Sequence, residues 1–433
     1  DGITSGSIIT KALIRAGAKC TVRTFPEINK NVIANLQKDV RDFHVITDLG
    51  GGFAKDLDEK LGDNWFVLDH HQIPKEEFEN DRVINAWKYG IDGGTQISAG
   101  GMAFLAAKTL DNRNSDLAAI AVVSALGDRQ DQGEKKSFIG PNAEIASIAK
   151  NAGQLNIDLD LLLAGRETRP LPDALAFTSQ PFIEGLTWSR DACFSLLSSA
   201  KIKLKEGARW RVPAELTEEE KRTVIEAITK YTTGKNATEI MSELIGYTYT
   251  FPKEDKRSFL RDCREFSTML NSCGRIHRAG VGIAICMGDR AKMLQEGEKI
   301  LSDYRKMIRD YMNVLSTERW RIADSEKCVM VNGEGLIPET MTGTISSLIA
   351  GSPKNVGKIV ILRTNGEEGT VKFSSRKSMG CKSKVNLSAL MREGAEKFDG
   401  VGGGHDMAAG ARIAKDKLDG FLDYLEANVS VQG

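Results

Sequence analysis

The sequence predicts an α/β protein: a parallel-sheet amino-terminal domain interrupted by a mostly helical insertion, then a long connecting helix and a smaller mixed α/β domain. Three observations carry this prediction. Over residues 1–150, short β-like runs (20–25, 44–48 and 65–69) alternate with amphipathic stretches (29–40 and 55–61), the pattern of parallel strands joined by helical crossovers. Over residues 290–314, apolar residues recur three and four apart with mixed charge between them, which predicts one long helix. From residue 327 to 429, strand-like runs (328–331, 358–362 and 370–373) surround helical ones (340–349 and 387–398), which predicts a second α/β domain.

Between these parts, residues 151–252 read differently. Pro170 and Pro172 mark a turn, and Lys201, Lys203, Lys205, Arg209 and Arg211 cluster around Trp210. The boundaries that follow are 1–150 for the parallel-sheet domain, 151–255 for the insertion, 256–315 for the return to the first domain and its connecting helix, and 316–433 for the last domain. The basic cluster reads first as a solvated loop, with phosphate or protein contact as the alternative, and Trp210 reads equally as core or as a base-stacking platform.

The chain has 433 residues, of which 41% are hydrophobic and 27% charged, enough for two or three cored domains. Lys plus Arg and Asp plus Glu both number 59, so no global positive field draws in a polyanion, and nucleic-acid contact would rest on local grooves. Seven scattered cysteines, none spaced CxxC, exclude a zinc ribbon and read as reduced thiols in a cytoplasm. No apolar run reaches the ~20 residues that span a bilayer, so no membrane partner is expected.

In parallel sheets, ligands collect at the carboxyl ends of the strands. Asp69-His70-His71 follows the apolar run 65–68, Asp48 ends the run before it, and Asp1 stands in Asp-Gly-Ile-Thr-Ser-Gly, read as the end of a first strand. A surface turn explains a bare Asp-His-His equally well; three acidic strand ends converging on one rim do not fit that reading. Asp128, which closes the apolar segment 117–126, is the fourth candidate, with Asp131 competing for the role. Carboxylates mixed with imidazole and no thiolate favour Mn²⁺ or Mg²⁺ over structural zinc, in a hydrolytic site.

These motifs, together with Gly402-Gly403-Gly404-His405-x-x-Ala408-Ala409-Gly410, resemble the ordered motifs of DHH phosphoesterases with a DHHA1 domain. Leu270-Asn271-Ser272-Cys273-Gly274-Arg275 before the long helix resembles the RecJ pattern, and the insertion resembles archaeal RecJ-like nucleases, including the GINS-associated nuclease. The resemblance implies that the first domain is a DHH domain and the last a DHHA1 domain. It implies that Asp48 bridges two Mn²⁺ ions and that Asp1, His70 and Asp128 complete one site. His71 would face the scissile phosphate and, with Asp69, form the catalytic part of the site. The family's first motif also has a His and another Asp upstream of the position matching Asp1, where this sequence begins.

Gly403 and Gly404 would let backbone approach a substrate phosphate while His405 donates to it, and Ser374 with Arg376 would add a guanidinium fork. Arg275 resembles the RecJ arginine that holds the nucleic-acid backbone, and reads equally as a helix-end charge. His44 and His277 have no assigned role.

The function that the resemblance implies is a single-strand-specific exonuclease acting 5′ to 3′ on DNA, with RNA as a further substrate, a cleft between the domains threading one strand and excluding duplex. The alternatives are a phosphodiesterase of very short RNA or cyclic dinucleotides, against which the insertion argues, and a replisome scaffold holding GINS, against which intact Asp48 and Asp69-His70-His71 argue.

Overall fold

The computed structural model describes residues 1–38, 42–73, 79–232 and 237–431, and divides into two compact units, Asp1–Leu301 and Ser302–Gly433. The first opens with α1 (Gly2–Arg15) and α2 (Lys30–Gln37), then β1 (His44–Thr47), α3 (Ala54–Leu61), β2 (Trp65–Asp69) and β3 (Val83–Asn85). The three strands pair in parallel in the order β1-β2-β3, with His44 opposite Trp65 and Asp69 opposite Asn85. Both faces of this sheet are covered, as parallel strands require. Ile33 of α2 and Leu57 of α3 join Trp65 and Val67 on one side, and Leu68 packs with Ile97 and Met102 on the other.

Helices α4 (Ala99–Leu110), α5 (Ala118–Gly127) and α6 (Gly140–Asn151) follow. The apolar α5, with Ala121, Val122 and Val123 fully buried, lies at the centre of the largest core, which also takes in Ile8, Phe104, Ile145 and Phe266. The run 20–25 forms no strand: half of its residues are exposed and half are half-buried, and among the described residues it pairs with no strand to complete a ladder. Asp1 likewise ends no strand here; it stands at the amino-terminal cap of α1. The expected amphipathic stretch 29–40 is α2, and its last two positions lie outside the described residues.

The insertion leaves and rejoins this unit through one antiparallel pair, β4 (Asn156–Leu161) with β7 (Ile245–Thr250), Leu161 opposite Ile245. Between them lie α7 (Leu171–Phe177), α8 (Arg190–Ser199), the small hairpin β5 (Lys205–Glu206) and β6 (Arg209–Trp210), α9 (Glu218–Tyr231) and α10 (Ala237–Leu244). They enclose a core of their own that includes Leu171, Leu175, Ile183, Leu197, Val224 and Ile228. Lys201, Lys203, Lys205 and Arg209 of the basic cluster are exposed, as a solvated stretch would be, but its arginines are paired. Arg211 is buried in a bidentate pair with Glu220 (2.6 and 2.7 Å), Arg209 pairs with Glu206 and Glu215, and Trp210 packs against the insertion core. Lys201, Lys203 and Lys205 reach into solvent, and the Lys205 ammonium stands 4.4 Å from the centre of the Trp210 ring.

Helices α11 (Cys263–Arg275) and α12 (Ala279–Met287) return to the first core, and α13 (Lys292–Thr317) is the expected long helix, 26 residues that cross the boundary between the units. The second unit contains β8 (Ile322–Asp324), β9 (Cys328–Asn332), α14 (Thr342–Ala350), β10 (Ile359–Asn365), β11 (Thr370–Lys377), α15 (Leu387–Lys397), β12 (Val401–Gly404), β13 (Ala408–Ala414) and α16 (Leu418–Val431). Its six strands form one mixed sheet in the order β12-β13-β11-β10-β9-β8. Ile359, Ile361 and Phe373 face Leu387, Met391 and Phe421 of α15 and α16, so α14, whose Ser346 touches Ser374, covers the opposite face. The glycine run 402–404 lies in the edge strand β12.

Glu265 of α11 ties the insertion to the first core, accepting from the backbone N–H of Glu167 (2.6 Å) and from the Thr168 hydroxyl. Replacing Glu265 by Ala strands a buried donor and should cost about 2–4 kcal/mol locally. Hydrogen exchange should then rise across residues 163–245 before it rises in the sheet around β2; uniform protection across both would show that the insertion is held by other contacts.

Candidate metal centre

The centre forms where β1 and β2 end and α4 begins. Asp48 follows β1, its N–H extending the ladder to the Leu68 carbonyl (3.0 Å), and its backbone turns to φ 68°. That left-handed conformation costs an aspartate about 1 kcal/mol and persists only where the surroundings impose it. It aims the carboxylate at His70, with Oδ1 3.2 Å from Nε2. Asp1 reaches the same nitrogen from the other side, Oδ2 at 3.3 Å. The Asp1 carboxylate is fixed by the start of α4, accepting from the N–H groups of Ala99 and Gly100 (3.0 Å each) and from the Ser124 hydroxyl, so the positive end of a helix dipole neutralises part of its charge.

His70 is buried, and its Nδ1 lies 2.6 Å from the carbonyl of Gly93. A carbonyl only accepts, so Nδ1 carries the proton and Nε2 is the nitrogen turned toward Asp48 and Asp1. Burial works to strip the charged form of its proton, but the Asp48 hydrogen bond and the charges of Asp128 and Asp48 outweigh it and lift the imidazole to about 9. Burial also pushes the Asp128 carboxyl up, against the pull of His70. Gly93 is required for this contact: a Cβ there would stand 1.8 Å from the His70 carbonyl oxygen.

Asp69 plays a different part. Buried at the end of β2, it accepts from Gly51 N–H (2.9 Å), His70 N–H (2.8 Å), His71 N–H (3.1 Å) and His71 Nδ1 (2.8 Å). Burial disfavours its charge, yet these bonds hold its carboxyl below the usual range. Its lone pairs are spent on orienting the loop and on His71, which is half-exposed with Nε2 left for other partners. Burial also opposes the charged form of His71, and the Asp69 hydrogen bond raises its affinity for a proton all the same.

Among the described residues, two groups of potential ligand atoms lie within 4.8 Å of one another, Asp48 with His70 and His71, and Asp1 with His70 and Asp128. They share His70. Asp131, the competing candidate, is turned away and paired with Arg264 at 2.7 Å. The donor set fits a divalent cation on a specific ground: an imidazole whose Nδ1–H is committed to a backbone carbonyl presents Nε2 to two carboxylates, an arrangement that is repulsive unless a proton or a cation stands between them. Oxygen and imidazole ligands without thiolate suit Mn²⁺ or Mg²⁺.

The residues expected to bind phosphate lie in both units. Arg275 is exposed at the last turn of α11. In the second unit, Arg376 on β11 donates to Ser347 Oγ (3.0 Å), the Ser375 carbonyl (2.7 Å) and Ser374 Oγ (3.2 Å), and Ser374 is buried against Ser346. Gly403 lies in the edge strand with open space over its α-carbon, Gly404 pairs with Ala409, and His405 is exposed in the turn that joins β12 to β13.

Comparison with known proteins agrees with this architecture. The DHH-CID domain model matches residues 163–245 and the DHHA1 domain model matches residues 328–430. The chain therefore carries a segment that matches the DHH-CID domain and a DHHA1 domain. An uncharacterized protein of Methanocaldococcus jannaschii is 27% identical over 440 residues, covering 100% of this chain and 91% of that protein. The fold is similar to that of CDC45 from Entamoeba histolytica, with a TM-score of 0.62 and 13% identity over 99% of this chain and 93% of that one. It is also similar to RecJ in complex with Mn²⁺ from Thermus thermophilus, with a TM-score of 0.58 and 15% identity over 99% of this chain and 50% of that one.

Sequence reasoning missed Gly93, Ser124, Gln130 and Asn142. Gln130 and Asn142 are buried side chains with no motif around them, and Gly93-Gly94 reads only as a turn. Replacing Gly93 by Ala should push the His70 backbone out of place, cost about 1–3 kcal/mol and weaken Mn²⁺ binding in calorimetric titration; unchanged Mn²⁺ affinity would show that the Gly93 contact does not set the imidazole.

Proposed function

We propose that this protein is a metal-dependent, single-strand-specific exonuclease that hydrolyses phosphodiester bonds of DNA, 5′ to 3′, and also acts on RNA, in DNA replication and repair. The observation that carries the reading is the pair of ligand groups sharing His70, with Nε2 turned toward Asp48 and Asp1. On this reading Asp1, Asp48, His70 and Asp128 would hold Mn²⁺ or Mg²⁺, and His71 would face the scissile phosphate. A pair of such ions supplies an activated water and charge neutralisation for in-line displacement at phosphorus.

The chain's own residues supply the rest. Asp69 acts through His71: by accepting from Nδ1 it fixes the ring and leaves Nε2 facing outward, able to hold or give a proton at a phosphate oxygen. The α4 amino terminus holds Asp1 in one orientation, so the centre does not reorganise as charge develops. In the second unit, Arg376 braced by Ser347 and Ser374 offers a guanidinium to a substrate phosphate, with His405, Gly403 and Gly404 at the neighbouring edge of the sheet. Arg275 would hold the nucleic-acid backbone on the first unit.

A second reading draws on the insertion. Phe177 and Trp188 are each 47% exposed and meet edge-on at 6.0 Å, with Arg169 over the Phe177 ring. Aromatic side chains beside an arginine are the composition of a protein-binding hot spot, which favours a scaffold role in which the insertion holds a replisome partner such as GINS. Under that reading Trp188→Ala weakens binding of recombinant GINS by about 2 kcal/mol in a pull-down or calorimetric titration; undiminished binding removes the insertion from the interface.

The nuclease reading is tested with end-labelled single-stranded DNA and RNA in Mn²⁺, comparing the full-length protein with Asp48→Ala. Stepwise shortening of long strands that falls to background in the variant is the expected result. Cleavage of dinucleotides alone would move the activity to very short RNA or cyclic dinucleotides, and wild-type turnover in Asp48→Ala would overturn the ligand assignment.

A further inference from the structure

Gln130 is fully buried on the turn after α5, and its position is defined by what surrounds it. Its Nε2 lies 2.8 Å from the Gly93 carbonyl, 2.8 Å from Asp128 Oδ2 and 3.2 Å from the Ile97 carbonyl. All three partners are acceptors, so the amide nitrogen must be the end that faces them. Its Oε1 accepts from Asn142 Nδ2 at 2.6 Å, and Asn142, also buried, sits in the first turn of α6. One side-chain nitrogen therefore touches both the carbonyl that takes the His70 Nδ1 proton and a carboxylate of the Asp1, His70 and Asp128 group.

We infer that Gln130, oriented by Asn142, is a positioning residue for divalent-cation binding at the centre: it sets the Asp128 carboxylate and, through the Gly93 carbonyl, the tautomer of His70. The inference rests on the metal reading proposed above. Its physical basis is directional. An amide has a donor end and an acceptor end, and Asn142 decides which end points where. If Asn142 could only accept, Gln130 would have to turn its nitrogen away from the centre, and its oxygen would then oppose the Gly93 carbonyl and Asp128. A buried acceptor placed against two others is strongly disfavoured, so the loop carrying Asp128 would shift instead.

This makes an unusual ordering of variants. Asn142→Asp keeps the shape of the side chain and brings an acceptor, whereas Asn142→Ala removes more atoms but leaves the Gln130 amide free to keep its nitrogen on Asp128. A role in packing alone makes the alanine variant the worse one. Added negative charge alone makes the aspartate variant bind cations more tightly. The positioning role makes Asn142→Asp bind cations more weakly than Asn142→Ala. Gln130→Met, which keeps the volume and loses both donors, should behave like Asn142→Asp.

The test is calorimetric titration of the full-length protein and these three variants with Mn²⁺ alone at pH 7.5, with thermal melting to establish that each is folded. The expected result is a 10- to 100-fold loss of Mn²⁺ affinity in Gln130→Met and Asn142→Asp, the range that loss of a ligand's supporting hydrogen bond produces, with a smaller loss in Asn142→Ala. Wild-type affinity in both Gln130→Met and Asn142→Asp, or losses that follow thermal stability with Asn142→Ala the weakest binder, would overturn the inference while leaving the metal reading in place. Failure of the wild-type protein to bind Mn²⁺ would overturn both.

Discussion

A buried imidazole with one nitrogen already spent governs this centre. His70 gives its Nδ1 proton to the Gly93 carbonyl, and the other nitrogen has to face Asp48 and Asp1. Much of the surrounding architecture serves that geometry. Gly93 has no side chain because one would collide with the His70 carbonyl, Trp87 Nε1 donates to that same carbonyl at 3.0 Å, and Asn85 at the end of β3 holds the His71 carbonyl at 2.9 Å. The parallel sheet supplies two neighbouring strand ends, and the amino terminus of α4 supplies the fixed positive pole against which Asp1 is set. Opposed negative groups gathered this closely are costly without a compensating positive charge, which a proton on His70 or a bound cation would supply.

The two adjacent histidines are separated in role by where their rings are anchored. His70 is anchored to backbone and buried, which suits a ligand; His71 is anchored to Asp69 and half-exposed, which suits contact with substrate. Asp69 could have been a third ligand by its position in the sequence, but its Oδ1 is occupied by donors from its own loop and its Oδ2 by the Gly51 N–H of the loop after β1. The insertion adds a separately cored module, joined to the first core by the β4–β7 pair, the Glu265 contact and ion pairs such as Arg257–Glu215 and Lys136–Glu243, an arrangement that lets a domain with its own surface be carried without disturbing the sheet.

Much of the fold was legible because its elements repeat simple periods. The runs at 44–48 and 65–69 are strands and those at 290–314 and 387–398 are helices, since apolar spacing reports directly which face is buried. The run at 20–25 has the same local pattern yet forms no strand, because a strand also needs a neighbour that local pattern cannot supply. The glycines at 402–404, read as positions of close backbone approach, lie in an edge strand, where Gly402 lets the chain approach the Met391 carbonyl of α15 more closely than a side chain would permit. In the centre, acidic residues and histidines were legible by type. Gln130, Asn142 and Ser124 were not, since a neutral polar side chain gains meaning only from the groups the fold brings to it. The basic cluster around Trp210 shows the same limit: its arginines are matched to Glu206, Glu215 and Glu220, partners that composition alone does not pair.

The central claim is that the carboxylates and imidazoles around His70 hold two divalent ions. The direct measurement is anomalous scattering at the manganese edge from crystals of the full-length protein grown with Mn²⁺. Two peaks about 3.5–4 Å apart, one beside Asp1, His70 and Asp128 and both touching Asp48, are the predicted result. Density at neither position with Mn²⁺ in excess, or ions bound only at surface carboxylates, would contradict it.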